Sequence, residues 1–234
     1  MDQSKTQPAY WGVLPAAGVG KRFGTERPKQ YQTLLGRTLL EHSAHALLQC
    51  SEISELVIAL SETDRYFAQT SLADTAKVNI APGGEERSDS VLSALACIQS
   101  SAQPSDWVLV HDAVRPCLQL SDVQKLMRAA ENHGQGAILV LPVIDTIKQQ
   151  KPHQKVTTVD RTCLWRALTP QMFRYGMLME ALVSCQSRNL RVTDEAQAVE
   201  LLGGDYCLVE GAAENIKVTQ YVDLSLAEYY LQRI

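Results

Sequence analysis

Residues 21 to 30 hold Lys21, Arg22, Arg27 and Lys29 against the single acid Glu26, directly after the turn Pro15-Ala-Ala-Gly-Val-Gly20. Glycines at 18 and 20 let backbone amides approach an anion unobstructed, and the cations add charge to the same loop. No Ser or Thr follows Gly20-Lys21, which excludes a Walker phosphate loop. Phe23 stands where the dinucleotide fingerprint needs its third glycine. Alone, this loop reads equally well as a tight turn with solvated Lys and Arg. Two further segments carry the same kind of chemistry. Gly83-Gly-Glu-Glu-Arg-Ser-Asp-Ser90 offers glycines for close backbone approach and the free amides of a helix start, although Ser88 suits a plain helix cap. His111-Asp-Ala-Val-Arg-Pro116 places Asp112 where a carboxylate can hold Mg²⁺ on phosphates, and Arg115 where it can simply pair with Asp112.

These loops need a scaffold that brings their tips together. Trp11–Leu14, Leu56–Leu60, Lys77–Ala81, Trp107–Val110 and Ala137–Leu141 are short apolar runs, as expected of strands buried on both faces of a parallel sheet. Between them Thr38–Cys50, Ser88–Ile98 and Ser121–Asn132 carry helical apolar spacing. The alternation predicts an α/β, Rossmann-like, doubly wound and mostly parallel sheet, whose ligands bind beyond the carboxyl ends of the strands. The loops after Leu14, Ala81, Val110 and Leu141 are the ones that end up there.

The rhythm breaks at about 143–161. Val143–Lys148 and Val156–Arg161 predict a β-hairpin too polar for the core, either a projecting arm that packs on another subunit or an exposed edge hairpin. A helix over Gln171–Cys185, another from Thr193 with Thr193 as its cap, strands near 206–209 and 215–218, and a terminal helix over 221–232 complete the reading. Asp194 and Glu195 suit the positive end of that helix dipole. No linker divides residues 1–234, so one domain with an arm insertion is expected.

Composition narrows the function. Lys plus Arg total 22 against 26 Asp plus Glu, a net charge of -4 that argues against a nucleic-acid surface. The six cysteines form no Cys-x-x-Cys pair and suit reduced thiols of a cytoplasmic protein. Met1–Tyr10 lacks the apolar run of a signal peptide, and nothing approaches a membrane span.

Taken together, the motifs resemble those of the 2-C-methyl-D-erythritol 4-phosphate cytidylyltransferases, nucleotidyltransferases of the non-mevalonate isoprenoid pathway. The likeness runs through Pro15–Phe23, Pro28-Lys-Gln-Tyr31, Gly83–Val91, His111–Pro116 and Asp145-Thr146, then Val159-Asp-Arg161, Leu168-Thr-Pro-Gln171, Thr193-Asp-Glu-Ala196 and Glu214–Thr219, in order along the chain. It implies that CTP lies over the first loop, with Gly18, Gly20, Arg22 and Lys29 near the triphosphate. Ala16, Ala17, Gly84, Glu85, Ser90 and Ala113 would face the nucleotide, and Asp112 would hold Mg²⁺ or another divalent cation. Asp145, Thr146, Arg161, Thr169 and Lys217 would gather on the acceptor side. Lys21, Arg87 and Arg115 are further candidates. The resemblance also implies a homodimer in which Arg161 reaches the other subunit on the arm. The chain ends soon after the last motif, so the cyclodiphosphate synthase fused to some family members is not expected.

A phosphate monoester, with a second pKa of about 6, needs little activation as a nucleophile, so the lack of a His–carboxylate pair does not weaken this reading. The expected chemistry is charge neutralisation by Arg22, Lys29 and Lys217. A cytidylyltransferase for ribitol 5-phosphate or another polyol phosphate fits the shared loops equally. A nucleotide-binding regulator without catalysis fits them less well, since a sensor would not need all of Lys29, Asp112, Arg161 and Lys217.

Overall fold

The computed structural model describes residues 7–18, 27–152 and 155–234. Its centre is a seven-stranded sheet, with β2 (Thr33–Leu34) and β3 (Arg37–Thr38) paired apart from it as a short hairpin. β1 (Tyr10–Pro15) lies between β4 (Ile53–Leu60) and β6 (Trp107–Val110), parallel to both, and β5 (Val78–Pro82) continues the parallel half from β4. On the other side β10 (Trp165–Arg174) runs antiparallel between β6 and β7 (Gly136–Pro142), and β11 (Cys207–Glu210) returns parallel to β7. The order is β11-β7-β10-β6-β1-β4-β5, a mostly parallel α/β sheet as the strand rhythm predicts.

Side-chain alternation along each strand feeds two cores. Leu14, Leu56, Ile58, Trp107 and Leu109 meet α1 (Leu39–Leu48) and α3 (Leu120–His133) on one face. Val13, Val57, Val108 and Val110 meet α2 (Arg87–Cys97), α4 (Tyr175–Ser187) and α5 (Glu195–Leu202) on the other. Both faces of these strands are covered, so nearly every position is apolar and period-2 patterning vanishes. α6 (Asp223–Leu231) closes a smaller cluster of Leu34, Leu39, Val114, Cys117, Val218 and Ala227 beside the loop after β6.

Four local readings of the sequence are corrected. The helix expected over Gln171–Cys185 begins only at Tyr175; residues 165–174 form β10, a central strand. Pro170 hides it, because proline is normally confined to edges or bulges. Here it falls in the register break between Ala167 and Gln171, where β7 offers no partner. No strand forms at 215–218: Val218 donates to the Val114 carbonyl and packs under α6. The N-cap of α5 is Asp194, whose Oδ1 accepts from Gln197 N at 3.0 Å, while Thr193 N–H donates to the Gln197 side chain. The N-cap of α2 is Glu86 rather than Ser88.

β8 (Ile147–Gln149) and β9 (Thr157–Val159) pair antiparallel as a separate two-stranded unit, the hairpin expected in this segment. Ile144 is 77% exposed beside it.

Candidate functional site

Where β1, β4, β5 and β6 end, a cavity of about 440 Å³ opens, lined by Ala16, Ala17 and Gly18, by Lys29, by Gly84–Arg87 and Ser90, and by Asp112, Ala113 and Lys217. Its size suits a small-molecule ligand. The registers of the strands set its rim: Ala16 N–H donates to the Ala59 carbonyl, Gly83 N–H to Leu60, and His111 N–H to Val13.

Lys29 opens a short 3-10 helix, Lys29–Tyr31, whose other two residues are buried anchors. Gln30 Nε2 donates to the Ala16 carbonyl at 2.7 Å, and the Tyr31 hydroxyl donates to Asp64 at 2.7 Å. Pro28-Lys-Gln-Tyr is therefore a clamp that ties the lysine segment to the first strand and leaves Lys29 on the cavity wall. The glycine loop is equally constrained. A Cβ on Gly83 would lie 2.1 Å from Ala17 Cβ, so only glycine lets the first and second loops touch. Gly84 N–H donates to Ser90 Oγ at 3.0 Å, and that hydroxyl donates to the Glu86 carbonyl at 3.3 Å.

Asp112 is the electrostatic centre. Its Oδ1 accepts from Arg87 Nε at 3.1 Å, and its Oδ2 accepts from Arg115 Nε at 3.2 Å and from Lys217 Nζ at 2.9 Å. Burial would raise the pKa of this carboxyl. Arg87, Lys217 and Arg115 overcome burial and hold it far below the usual carboxylate range. Arg87 also forks onto Glu195, with Nη1 to Oε1 at 2.6 Å and Nη2 to Oε2 at 3.0 Å. Arg115 Nη1 donates to the Asn215 carbonyl at 2.7 Å, tying the segment that carries Lys217 to the loop after β6.

A second buried network sits behind Asp112. His111 Nε2 lies 3.1 Å from the Arg115 carbonyl, which only accepts, so Nε2 carries the proton. Burial pushes the His111 pKa down to about 4, so the ring is neutral and Nδ1 is an acceptor. The Thr169 hydroxyl, 2.9 Å away, therefore donates to Nδ1 and accepts the Asp112 backbone N–H at 3.0 Å. Its only proton is spent on His111, which leaves none in this arrangement for a phosphate oxygen.

Of the residues singled out from sequence, Ala16, Ala17, Gly18, Lys29, Gly84, Glu85, Arg87, Ser90, Asp112, Ala113 and Lys217 line one cavity. Arg115 joins them through Asp112. Asp145, Thr146 and Arg161 do not; they are exposed on the hairpin, where Arg161 donates to the Ile144 carbonyl. Gly20, Lys21 and Arg22 lie outside the described residues. Sequence reasoning missed Gln30 and His111, and gave Glu195 to a helix dipole. No local signal reveals the Arg87–Glu195 pair, whose members are 108 residues apart.

The donor set does not fit a divalent cation held by Asp112. Oδ2 already accepts twice, and a metal there would sit against three positive side chains. Among the described residues no three His, Cys, Asp or Glu side chains cluster as metal ligands.

The family model described as 2-C-methyl-D-erythritol 4-phosphate cytidylyltransferase matches residues 11–233. A protein of that name from Vibrio atlanticus is 49% identical over 221 residues, covering 94% of each chain. Among solved structures, a 4-diphosphocytidyl-2C-methyl-D-erythritol synthase superposes with a TM-score of 0.82 at 34% identity, covering 97% of this chain and 99% of the other. The Francisella tularensis 2-C-methyl-D-erythritol 4-phosphate cytidylyltransferase superposes with a TM-score of 0.81 at 33% identity, covering 95% and 99%.

Proposed function

The chain belongs to the 2-C-methyl-D-erythritol 4-phosphate cytidylyltransferase family, and from that premise we propose how its residues divide the reaction. The enzyme transfers CMP from CTP to 2-C-methyl-D-erythritol 4-phosphate, giving 4-diphosphocytidyl-2-C-methyl-D-erythritol and pyrophosphate in the non-mevalonate isoprenoid pathway.

The observation that carries the assignment of roles is the placement of Lys29 and Lys217 on one cavity whose other walls are the two glycine loops. CTP lies over Ala16–Gly18, with its base and sugar against Gly84, Glu85, Ser90 and Ala113. An oxygen of the acceptor phosphate attacks the α-phosphorus, a P–O bond forms, and the bond to the β-phosphate breaks to release pyrophosphate. Lys29, with Arg22, neutralises the α-phosphoryl and the leaving pyrophosphate. Lys217 meets the α-phosphoryl from the acceptor side. Lys217 is held on Asp112 before substrate arrives, so it stabilises developing charge without reorganising. Asp112 acts by holding Lys217, Arg87 and Arg115 in register. A divalent cation such as Mg²⁺ would supply further charge neutralisation to the triphosphate, and Asp112, already engaged by three cations, would not be the side chain that holds it.

Arg161 and Thr146 act on the acceptor phosphate, and Asp145 on the rest of the acceptor, across a homodimer, the arm of one subunit reaching the cavity of its partner; their exposure beside a separate two-stranded hairpin supports this reading. Among the described residues no helix is long and apolar enough to cross a membrane. All six cysteines are unbridged, which supports a cytoplasmic location. Incubating the protein with Mg²⁺ and each NTP in turn, with methylerythritol phosphate or ribitol phosphate, and measuring pyrophosphate tests the reading. Release with CTP and methylerythritol phosphate is expected; preference for ribitol phosphate would reassign the acceptor.

A further inference from the structure

Glu195 is a first-turn residue of α5, where the helix dipole asks only for a negative charge near the surface. It is instead 1% exposed, with both oxygens on the Arg87 guanidinium. Capping does not require it, because Asp194 caps the helix. Stability is a weak reason as well, since desolvation cancels much of a buried pair's attraction. What the pair does supply is geometry. A two-point fork fixes the plane of a guanidinium. With both terminal nitrogens of Arg87 taken by Glu195, Nε is left, and it donates to Asp112 Oδ1. That leaves Oδ2 facing Arg115 and Lys217. The far end of the chain of contacts is equally firm. Gln171 on β10 accepts from Ala196 N at 2.9 Å and donates to Asp194 at 2.9 Å, so the residues either side of Glu195 are tied to the central sheet.

From this geometry we infer that Glu195 is a positioning residue for the transfer reaction: through Arg87 it sets the orientation of Asp112 and thereby the place of the Lys217 ammonium. The inference rests on the reading of Lys217 as the acceptor-side cation. It makes α5, which contributes no side chain to the cavity lining, part of what aligns the two phosphates.

Two variants test it. Glu195→Gln removes the charge at constant shape. The pair Glu195→Leu with Arg87→Met replaces both ions by apolar groups and spares the fold an unpaired buried charge. Steady-state kinetics with CTP–Mg²⁺ and methylerythritol phosphate, melting curves, and labelling of Lys217 by an amine-reactive ester read by peptide mass spectrometry are measured on each. In Glu195→Gln, kcat is expected to fall on the order of 100-fold, the cost of misplacing a catalytic group by about an ångström. The KM for CTP is expected to be no higher than wild type, because the cluster becomes more positive. The apolar pair is expected to melt like wild type yet stay as slow, and Lys217 to label faster in both variants. Wild-type kcat in either variant, unchanged Lys217 labelling, or failure of the apolar pair to fold would overturn the inference, the last because the pair would then be structural alone. Should the wild-type protein itself release no pyrophosphate, the proposed reaction fails and Lys217 labelling alone decides the positioning role.

Discussion

Replacing Thr169 by valine isolates the buried network behind Asp112. Valine keeps the branched shape and removes the hydroxyl alone. That hydroxyl serves two buried partners, His111 Nδ1 at 2.9 Å and the Asp112 backbone N–H at 3.0 Å, in surroundings where Thr169 is 5% exposed and His111 is fully enclosed. Each buried partner left without a mate costs about 1–3 kcal/mol, so Thr169→Val is expected to destabilise the protein by roughly 2–6 kcal/mol. Against a typical total of about 5–15 kcal/mol that is severe. A central value of about 4 kcal/mol lowers Tm by roughly 8–16 °C in a chain of this size. Urea unfolding should show the loss as a lower midpoint with an unchanged slope. Thr169→Ser keeps the hydroxyl and should retain most of the stability. The competing role, a hydroxyl that only binds the acceptor phosphate, predicts a raised KM for methylerythritol phosphate with unchanged stability. A valine variant within about 0.5 kcal/mol of wild type, the usual range for substitutions away from any such feature, refutes the network. So does a serine variant as unstable as the valine one.

Other consequences are checked as directly. Lys29→Ala should lower turnover by orders of magnitude while circular dichroism and Tm stay near wild type, since Gln30 and Tyr31 carry the packing of that segment; near-normal pyrophosphate release would remove Lys29 from the mechanism. His111 is neutral when folded, with a pKa of about 4 against 6.5 when free. Between those values the unfolded chain binds the extra proton, so its stabilising share is complete above about pH 6.5 and is lost as pH falls towards 4. The loss amounts to about 3 kcal/mol. His111→Asn should flatten the urea-midpoint profile across that window, and an unaltered slope would contradict the assignment. Gly83→Ala should push Ala17 aside, the new Cβ falling 2.1 Å from it, and weaken CTP binding in calorimetry; wild-type affinity would show that the two loops yield freely.

The parallel half of the fold is legible because its strands are buried on both faces and read as unbroken apolar runs, with Leu56–Leu60 the clearest. β10 is not, because Trp165–Arg174 contains Pro170, a residue that speaks against a central strand unless its place in a register break is known. The site divides the same way. Lys29, Gly84 and Asp112 sit in loops whose glycines and charges announce anion chemistry within a few residues. Glu195, His111 and Gln30 matter through partners supplied by the fold: Arg87 across 108 residues, Thr169 across 58, Ala16 across 14. Residue type cannot separate a buried Glu195 paired with Arg87 from a solvated helix-start acid, since the difference lies in which strand end faces it.

That hidden layer resolves a tension in the visible one. A site that must hold a triphosphate beside a phosphate dianion needs several fixed cations, yet cations packed together without ligand repel one another and favour dispersal or disorder. Asp112 and Glu195 answer this from beneath. Two buried carboxylates hold Arg87, Arg115 and Lys217 at 2.6–3.2 Å, so the cluster keeps a net positive charge while every member has a partner before substrate arrives. Lys217 is the most accessible of the three, its side chain 40% exposed on the cavity wall that Arg87 also lines. The two arginines, 10–25% accessible, are spent on scaffolding. The overall charge of -4 conceals this arrangement because the acids that lower it include those on which the cationic site is built. Neutralising Asp112 as Asn should therefore scatter Lys217 and lower kcat at any concentration of Mg²⁺. Recovery of turnover at high Mg²⁺ would instead return Asp112 to the metal.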